Sequence, residues 1–290
     1  MMKIACIGEA MIELSMAGNT AQVGVAGDTL NTAIYLRRGA PDLQVDYVTC
    51  LGDDAFSFQI RDFIENHEIG VSKVEMIEGS SPGLYAISTT AEGERSFSYW
   101  RSASAARRLF QVAGGYSFEM LADYDAIYVS GITMAILPQT VRLAFIEWLA
   151  DTDVKFIYDS NYRPRLWDSV ENAQKITQAM WERADIALPS IEDEMELFDE
   201  SAVQVAERFA GHRGIGALKQ GDVGPISIGQ EVSQTYAAAP NVIDTTAAGD
   251  SFNGGYLASF LTNGSQAQAL RAGHDCAAKV VQFRGAITPE

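Results

Sequence analysis

KIACIG, residues 3–8, is an apolar run with no polar–apolar alternation, and a strand of that composition is buried on both faces. Five further runs repeat it: VDYVTCLG (45–52), AIYVSGI (126–132), VKFIYD (154–159), IALPS (186–190) and IGALKQG (215–221). Between the first two, GDTLNTAIYLRRG (27–39) sets Leu30, Ala33 and Ile34 on one helical face, with Asp28 or Thr29 as the cap and Gly39 as the stop. Strand alternating with helix predicts a doubly wound α/β fold, a mostly parallel sheet flanked by helices. No repeat, low-complexity segment or long linker interrupts it, so residues 1–290 read as a single α/β domain.

One region departs from that rhythm. GLYAISTTAEGERSFSYWR (83–101) has two alternating strands around the turn AEGE and predicts an antiparallel hairpin. Period-2 geometry puts Tyr85, Ile87 and Thr89 on one face of the first strand, and Phe97, Tyr99 and Arg101 on one face of the second. The hairpin is either a half-buried edge with Arg101 in solvent or a second layer over a ligand site. Its edges and apolar side chains need cover, which implies packing onto the main body or a homodimer through this layer, with Phe97 or Trp100 in contact.

Composition narrows the class. The chain has 47% hydrophobic and 20% charged residues, enough for a full core, and a net charge of −17 with no basic run. That balance argues against nucleic acid or an anionic membrane and for a small ligand. Cys6, Cys50 and Cys276 have no metal-ligand or CxxC spacing, which suits a reducing compartment, the cytoplasm. MMKIACIGEAMIEL at the start reads as neither a signal peptide nor a membrane span.

DTTAAGDSFNGGYL (244–257) turns from small polar residues into a helix-like run. Ala247, Ala248 and Gly249 leave backbone N–H groups uncovered, and the helix starting near Asp250 adds the positive end of its dipole, so the turn is an anion site. A carboxylate there would repel a phosphate unless it does chemistry, such as taking a proton from an attacking hydroxyl. In isolation, AAGD would more often be an ordinary helix start capped by Asp250 or Ser251, with Gly254-Gly255 for close packing.

It is not isolated. DTTAAGDSFNGGYL resembles the C-terminal signature of the ribokinase-like (PfkB) carbohydrate kinases, AGDTLNTA (26–33) resembles their N-terminal signature, and KQGDVG (219–224) resembles their KxGxxG nucleotide loop. GDTLN, YWR and DSNYRPRLW (159–167) make the chain most similar, within that family, to the 2-keto-3-deoxygluconate kinases. A sugar acid carries a carboxylate, which a guanidinium fork matches, and Arg101 and Arg163 are the candidates.

The resemblance implies a ribokinase-like fold with a small β-sheet lid formed by roughly residues 12–25 and 82–102, and ATP-dependent phosphorylation of a sugar acid's terminal hydroxyl. It implies Gly27, Asp28 and Asn31 at the sugar hydroxyls, Tyr85 and Tyr99 as lid contacts, and Asp250 as the base in the Ala247, Ala248, Gly249 turn. For ATP it implies Asn161 and Arg163 near the phosphates, Lys219, Gly221 and Gly224 around the ribose and adenine, and Ala248, Gly249 and Ser251 at the phosphates. Mg²⁺ is the expected metal.

Three positions depart from the family pattern. Ala247 stands where glycine is usual and is tolerable if its φ is negative. PSIEDE (189–194) replaces the metal-linked NxxE motif with Ser190 and Asp193 or Glu194. Asp275, after His274, stands near a position where the family often carries an asparagine that approaches the adenine, and an aspartate cannot donate.

Other classes fare worse. The first strand ends IGEAMIE without the glycine fingerprint of a dehydrogenase, and three histidines with no GxSxG elbow do not support a hydrolase. A kinase of a neutral sugar such as fructose or ribose, and a non-catalytic sugar sensor, are the rival readings.

Overall fold

The computed structural model describes residues 1–89 and 95–289. In chain order its strands are β1 (Lys3–Ile7), β2 (Met11–Ala17), β3 (Thr20–Ala26), β4 (Gln44–Leu51), β5 (Val74–Met76), β6 (Gly83–Thr89) and β7 (Arg95–Trp100). They continue as β8 (Gln111–Val112), β9 (Gly115–Tyr116), β10 (Ala126–Ser130), β11 (Lys155–Asp159), β12 (Ile186–Ala187), β13 (Ile215–Leu218) and β14 (Ile226–Ile228). The helices are α1 (Asp28–Gly39), α2 (Ala55–Asn66), α3 (Gly131–Ile136), α4 (Gln139–Ala150), α5 (Val170–Arg183), α6 (Ile191–Phe198), α7 (Ala202–Ala210), α8 (Ala248–Asn263) and α9 (Gln266–Val280).

The six apolar runs are neighbours in one sheet of order β14-β13-β12-β11-β10-β1-β4-β5, parallel except for the last pairing of β13 with β14. Their lack of alternation has the expected cause. Ile4 and Tyr128 face one apolar cluster with α1, α2, α8 and α9, while Ile7 and Val129 face another with α3 to α7. The edge strands β5 and β14 are only three residues long and too short to announce a period.

The cap of α1 differs from the sequence expectation. Gly27, not Asp28 or Thr29, is its N-cap, with no side-chain capping bond, and Gly39 is its last residue with Ala40 following. Asp28 instead accepts a hydrogen bond from Asn161 Nδ2 at 2.9 Å, so a long-range partner has taken the carboxylate a local cap would use. Helix α8 is wedged between α1 and α9. A Cβ on Gly254 would lie 2.5 Å from Tyr35 Cβ, and one on Gly255 2.7 Å from the Ala272 carbonyl, so the GlyGly pair sets both approaches.

Strands β2, β3, β6 and β7 form a second sheet of order β3-β2-β6-β7. β6 and β7 are antiparallel, with Tyr85 opposite Tyr99 and Ile87 opposite Phe97. The AEGE turn lies outside the described residues. β2 lies parallel to β6 and sets Glu13 beside Tyr85, so the aromatic face of the hairpin is widened by a strand far away in sequence. Among the described residues no helix is long and apolar enough to cross a membrane.

Candidate active site

Strand order reverses at β1, which has β4 on one side and β10 on the other. In an open α/β sheet the loops beyond the carboxyl ends of the strands part at such a point and leave a crevice. A cavity of about 1080 Å³ fills it. The loops after β11, β12 and β13 bring Asn161, Ser190 and Lys219 to its wall, the start of α8 forms its floor, and the small sheet forms one end.

The floor is built locally. Asp244 Oδ1 accepts hydrogen bonds from Thr246 N (3.0 Å) and Thr246 Oγ1 (2.7 Å), and Oδ2 accepts one from Gly285 N (2.9 Å). That buried carboxylate winds the turn and ties it to the C-terminal segment. Ala247 follows as the N-cap of α8 with φ 59° and ψ 20°. The condition for its methyl was a negative φ, and the structure reverses it: the turn needs the left-handed conformation that glycine adopts freely, and alanine holds it at a cost of roughly 1–2 kcal/mol. The amides of Gly249 and Asp250 have no acceptor among the described residues and open the helix towards the cavity. Ser251 does not share that position. Its N–H donates to Ala247 O, its hydroxyl to Ala248 O, and it is fully buried away from the cavity.

Asp250 stands over this floor, enclosed by protein except where it meets the cavity. Asn31 Nδ2 donates to its Oδ2 at 2.9 Å. Loss of water, then the like charge of Asp28, raise its pKa well above the carboxylate range. Asp28 is raised by burial too, despite its hydrogen bonds. Such opposed carboxylates are the setting in which a carboxyl becomes a base effective near neutrality.

Lys219 lines the cavity from the end of β13. It is buried, and its Nζ sits 3.1 Å from Asp159 Oδ2 and donates to Asn253 Oδ1 at 3.1 Å. Asn253 Nδ2 in turn donates to Asp159 Oδ2 (2.6 Å) and Tyr128 Oη (3.1 Å). A Cβ on Gly249 would lie 3.8 Å from the ammonium, so Lys219 adjoins the floor. Asp159 and Asn253, which sequence reasoning missed, stand inside stretches already quoted, yet only the fold joins them to Lys219. Within the same loop Gly221 lines the cavity, but Gly224 does not, because Tyr236 packs over it.

At the end formed by the small sheet, Tyr85, Phe97, Tyr99 and Arg101 line the cavity together with Gly27, Asp28 and Asn31. The Tyr85 and Tyr99 rings stack at 5.6 Å. Tyr85 donates to Glu13, and Arg101 Nη2 donates to Glu9 Oε2 in a buried ion pair. Glu9 escaped the sequence reading. Its signal is a lone acid, in IGEA, two residues past the end of an apolar strand.

Arg163 keeps different company. It is half exposed, and its Nη1 donates to Tyr162 O (2.6 Å) and Asp193 Oδ1 (3.3 Å). Ser190 caps α6 by accepting from Asp193 N, and both line the cavity. Burial pushes Asp193 up to about 6 against the opposing pull of Arg163. Glu194 points the other way, fully buried and held by Trp181 Nε1 (3.2 Å) and Arg208 Nη2 (2.9 Å). The far end of the cavity is apolar, with Val242, Phe252, Ala277 and Val281 beside His274. Asp275, one residue further along α9, is exposed and does not line the cavity.

Comparison with known proteins places this geometry. Residues 1–290 match the pfkB family carbohydrate kinase. The chain belongs to the pfkB carbohydrate kinase family. It is 41% identical over 300 residues to the 2-dehydro-3-deoxygluconokinase of Escherichia coli strain K12, covering 99% of this chain and 97% of that one. It is also 41% identical over 299 residues to the 2-dehydro-3-deoxygluconokinase of Dickeya dadantii, with 99% and 96% covered. The crystal structure of 2-dehydro-3-deoxygluconokinase from Thermotoga maritima superposes with a TM-score of 0.82 at 20% identity, covering 99% of this chain and 94% of that one. This last likeness shows the pfkB fold: a large mostly parallel sheet with helices and a small separate sheet.

Proposed function

We propose that this pfkB kinase transfers the γ-phosphoryl group of ATP to the terminal hydroxyl of 2-dehydro-3-deoxygluconate, also called 2-keto-3-deoxygluconate. The products are 2-keto-3-deoxy-6-phosphogluconate and ADP. The relatives' names support the substrate. The observation that carries the reading is a single cavity with a guanidinium, Arg101, in an aromatic wall at one end and a raised carboxyl, Asp250, over free helix amides at its floor.

In this reading Arg101 receives the sugar carboxylate, with Gly27, Asp28 and Asn31 at the hydroxyls and Tyr85 and Tyr99 closing over the chain. Asp250 takes the proton of the terminal hydroxyl as its oxygen bonds to the γ-phosphorus and the bond to the β-phosphate oxygen breaks. The amides of Gly249 and Asp250 receive phosphate oxygens, and Lys219, held by Asp159 and Asn253, offsets the charge they gather. Arg163 and Asn161 stand on the phosphate side, and the apolar end beside His274 takes the adenine.

Of the two acids expected at the metal, Asp193 fits a divalent ion, since it is a cavity-facing carboxylate raised by desolvation, and Glu194 does not. Mg²⁺, which favours one or two carboxylates together with phosphate oxygens and water, supplies charge compensation when bound. The exposed Phe97 and Trp100 support a homodimer through the small sheet. The three free thiols suit a cytoplasmic setting.

The test is a substrate panel with ATP consumption as readout. The sugar acid is expected to exceed fructose and ribose in kcat/KM by about 100-fold or more, the scale of an unpaired buried charge. Preference for a neutral sugar would replace the acid assignment with a fructokinase- or ribokinase-type one. Binding of sugar without any ATP consumption would make the protein a sensor.

A further inference from the structure

Arg101 lines the cavity, but its partner Glu9 lies behind it, 1% exposed and out of reach of a ligand. Glu9 occupies the short link between β1 and β2, where the chain leaves the large sheet for the small one, and Arg101 follows β7, where the chain returns. Their ion pair joins the two crossings. The backbone of Glu9 has a second contact: a Cβ on Gly27 would come within 2.4 Å of its carbonyl oxygen, so only glycine lets the sugar-side loop rest there. One residue thus touches the large-sheet wall of the sugar end with its backbone and the small-sheet wall with its carboxylate.

A buried pair of this kind adds little stability over apolar side chains of the same volume. It does fix a long side chain that otherwise surrenders rotamer freedom when a ligand orders it. Glu9 engages Nη2 of a guanidinium that has five N–H donors, and Arg101 lines the cavity, so the fork keeps donors for a second carboxylate.

We infer that Glu9 is a positioning residue for sugar-acid binding: it holds the Arg101 guanidinium pre-oriented at the sugar end of the cavity, so that a substrate carboxylate docks on a donor already in place. The inference rests on the reading of Arg101 as the group that receives that carboxylate.

The experiment compares wild type, Glu9→Gln, Glu9→Ala, Arg101→Ala and the Glu9→Gln/Arg101→Ala double variant. The substrates are 2-keto-3-deoxygluconate and its analogue with the carboxylate reduced to a primary alcohol. Glu9→Ala is expected to raise KM for the acid roughly 10–100-fold while kcat and KM for ATP change by less than about threefold, the pattern of lost binding without lost chemistry. Glu9→Gln, which keeps shape and one acceptor, should lose less. The double variant should bind the acid no worse than Arg101→Ala alone, because Glu9 then has nothing to orient.

Parallel loss of kcat, ATP affinity and thermal stability in Glu9→Gln, or losses that add in the double variant, would reduce Glu9 to a structural brace and overturn the inference. Equal losses by Arg101→Ala on acid and reduced analogue would instead remove the carboxylate role of Arg101 itself, and the inference with it.

Discussion

The floor at the start of α8 and the aromatic end of the small sheet face each other across one cavity and are built in opposite ways. The floor is nearly all backbone from one continuous stretch: an Asp244 turn, a left-handed Ala247 and the first amides of a helix. The end formed by the small sheet is mostly side chain, drawn from β6, from β7 and the residue after it and from the first turn of α1, and braced by Glu13 of β2 and by Glu9 in the link between β1 and β2. A local backbone device can be recognised from a string of residues and serves any phosphate. A wall assembled from distant segments can be altered one side chain at a time, and in the proposed reading selectivity for one sugar over another belongs there.

The sharpest way to test that division is at the floor. Asp250→Asn keeps the hydrogen bond to Asn31 within reach but removes the base, and kcat is expected to fall by about 10²–10⁴-fold with ATP binding retained. More than a third of wild-type turnover in that variant would take the proton transfer away from Asp250.

At the sugar end the loss should depend on the substrate. Arg101→Ala leaves the substrate charge under-compensated and is expected to cost about 2–4 kcal/mol in kcat/KM for the sugar acid, less for its reduced analogue. Kinetics with the two substrates side by side measure it.

The two ends also meet in one titration. Desolvation first, and then Asp28, hold Asp250 protonated to higher pH than an ordinary carboxylate. A base must be unprotonated to act, so kcat/KM is expected to rise with pH along a limb that lies above the usual carboxylate value of about 4, dropping about tenfold per unit below it. Asp28→Asn removes the like charge and should move the limb to lower pH. A limb that stays in place would mean that another group governs it.

Assembly is a smaller matter for the chemistry. If the exposed Phe97 and Trp100 pair two copies, light scattering at micromolar concentration should give twice 31.5 kDa, and Trp100→Glu should return it to one. A monomer in the wild type ends that proposal.

The smallest effect is expected at the turn. Ala247→Gly relieves left-handed strain and gives back some freedom to the unfolded chain, for a net gain of about 0.5–1 kcal/mol in urea unfolding. A loss of stability would mean that the methyl makes packing contacts worth more than the strain.

The sequence by itself determined the parallel sheet, because strands buried on both faces must be apolar at every position, and it determined the floor, because turn, glycine and carboxylate lie within a few residues of each other. It also determined which face of the hairpin carries Tyr85, Tyr99 and Arg101, since side chains in a strand alternate. Tertiary structure decided what each charge does. Asp28 gave up its helix cap to Asn161, Lys219 went to Asp159 and Asn253, Glu194 turned to Arg208 while Asp193 faced the cavity, and His274 rather than Asp275 reached the apolar end. Local pattern carries periodicity and turns, whose causes lie within a few residues. The partner of a buried charge is set by which strands and helices end beside it, and those are brought together only when the sheet has formed.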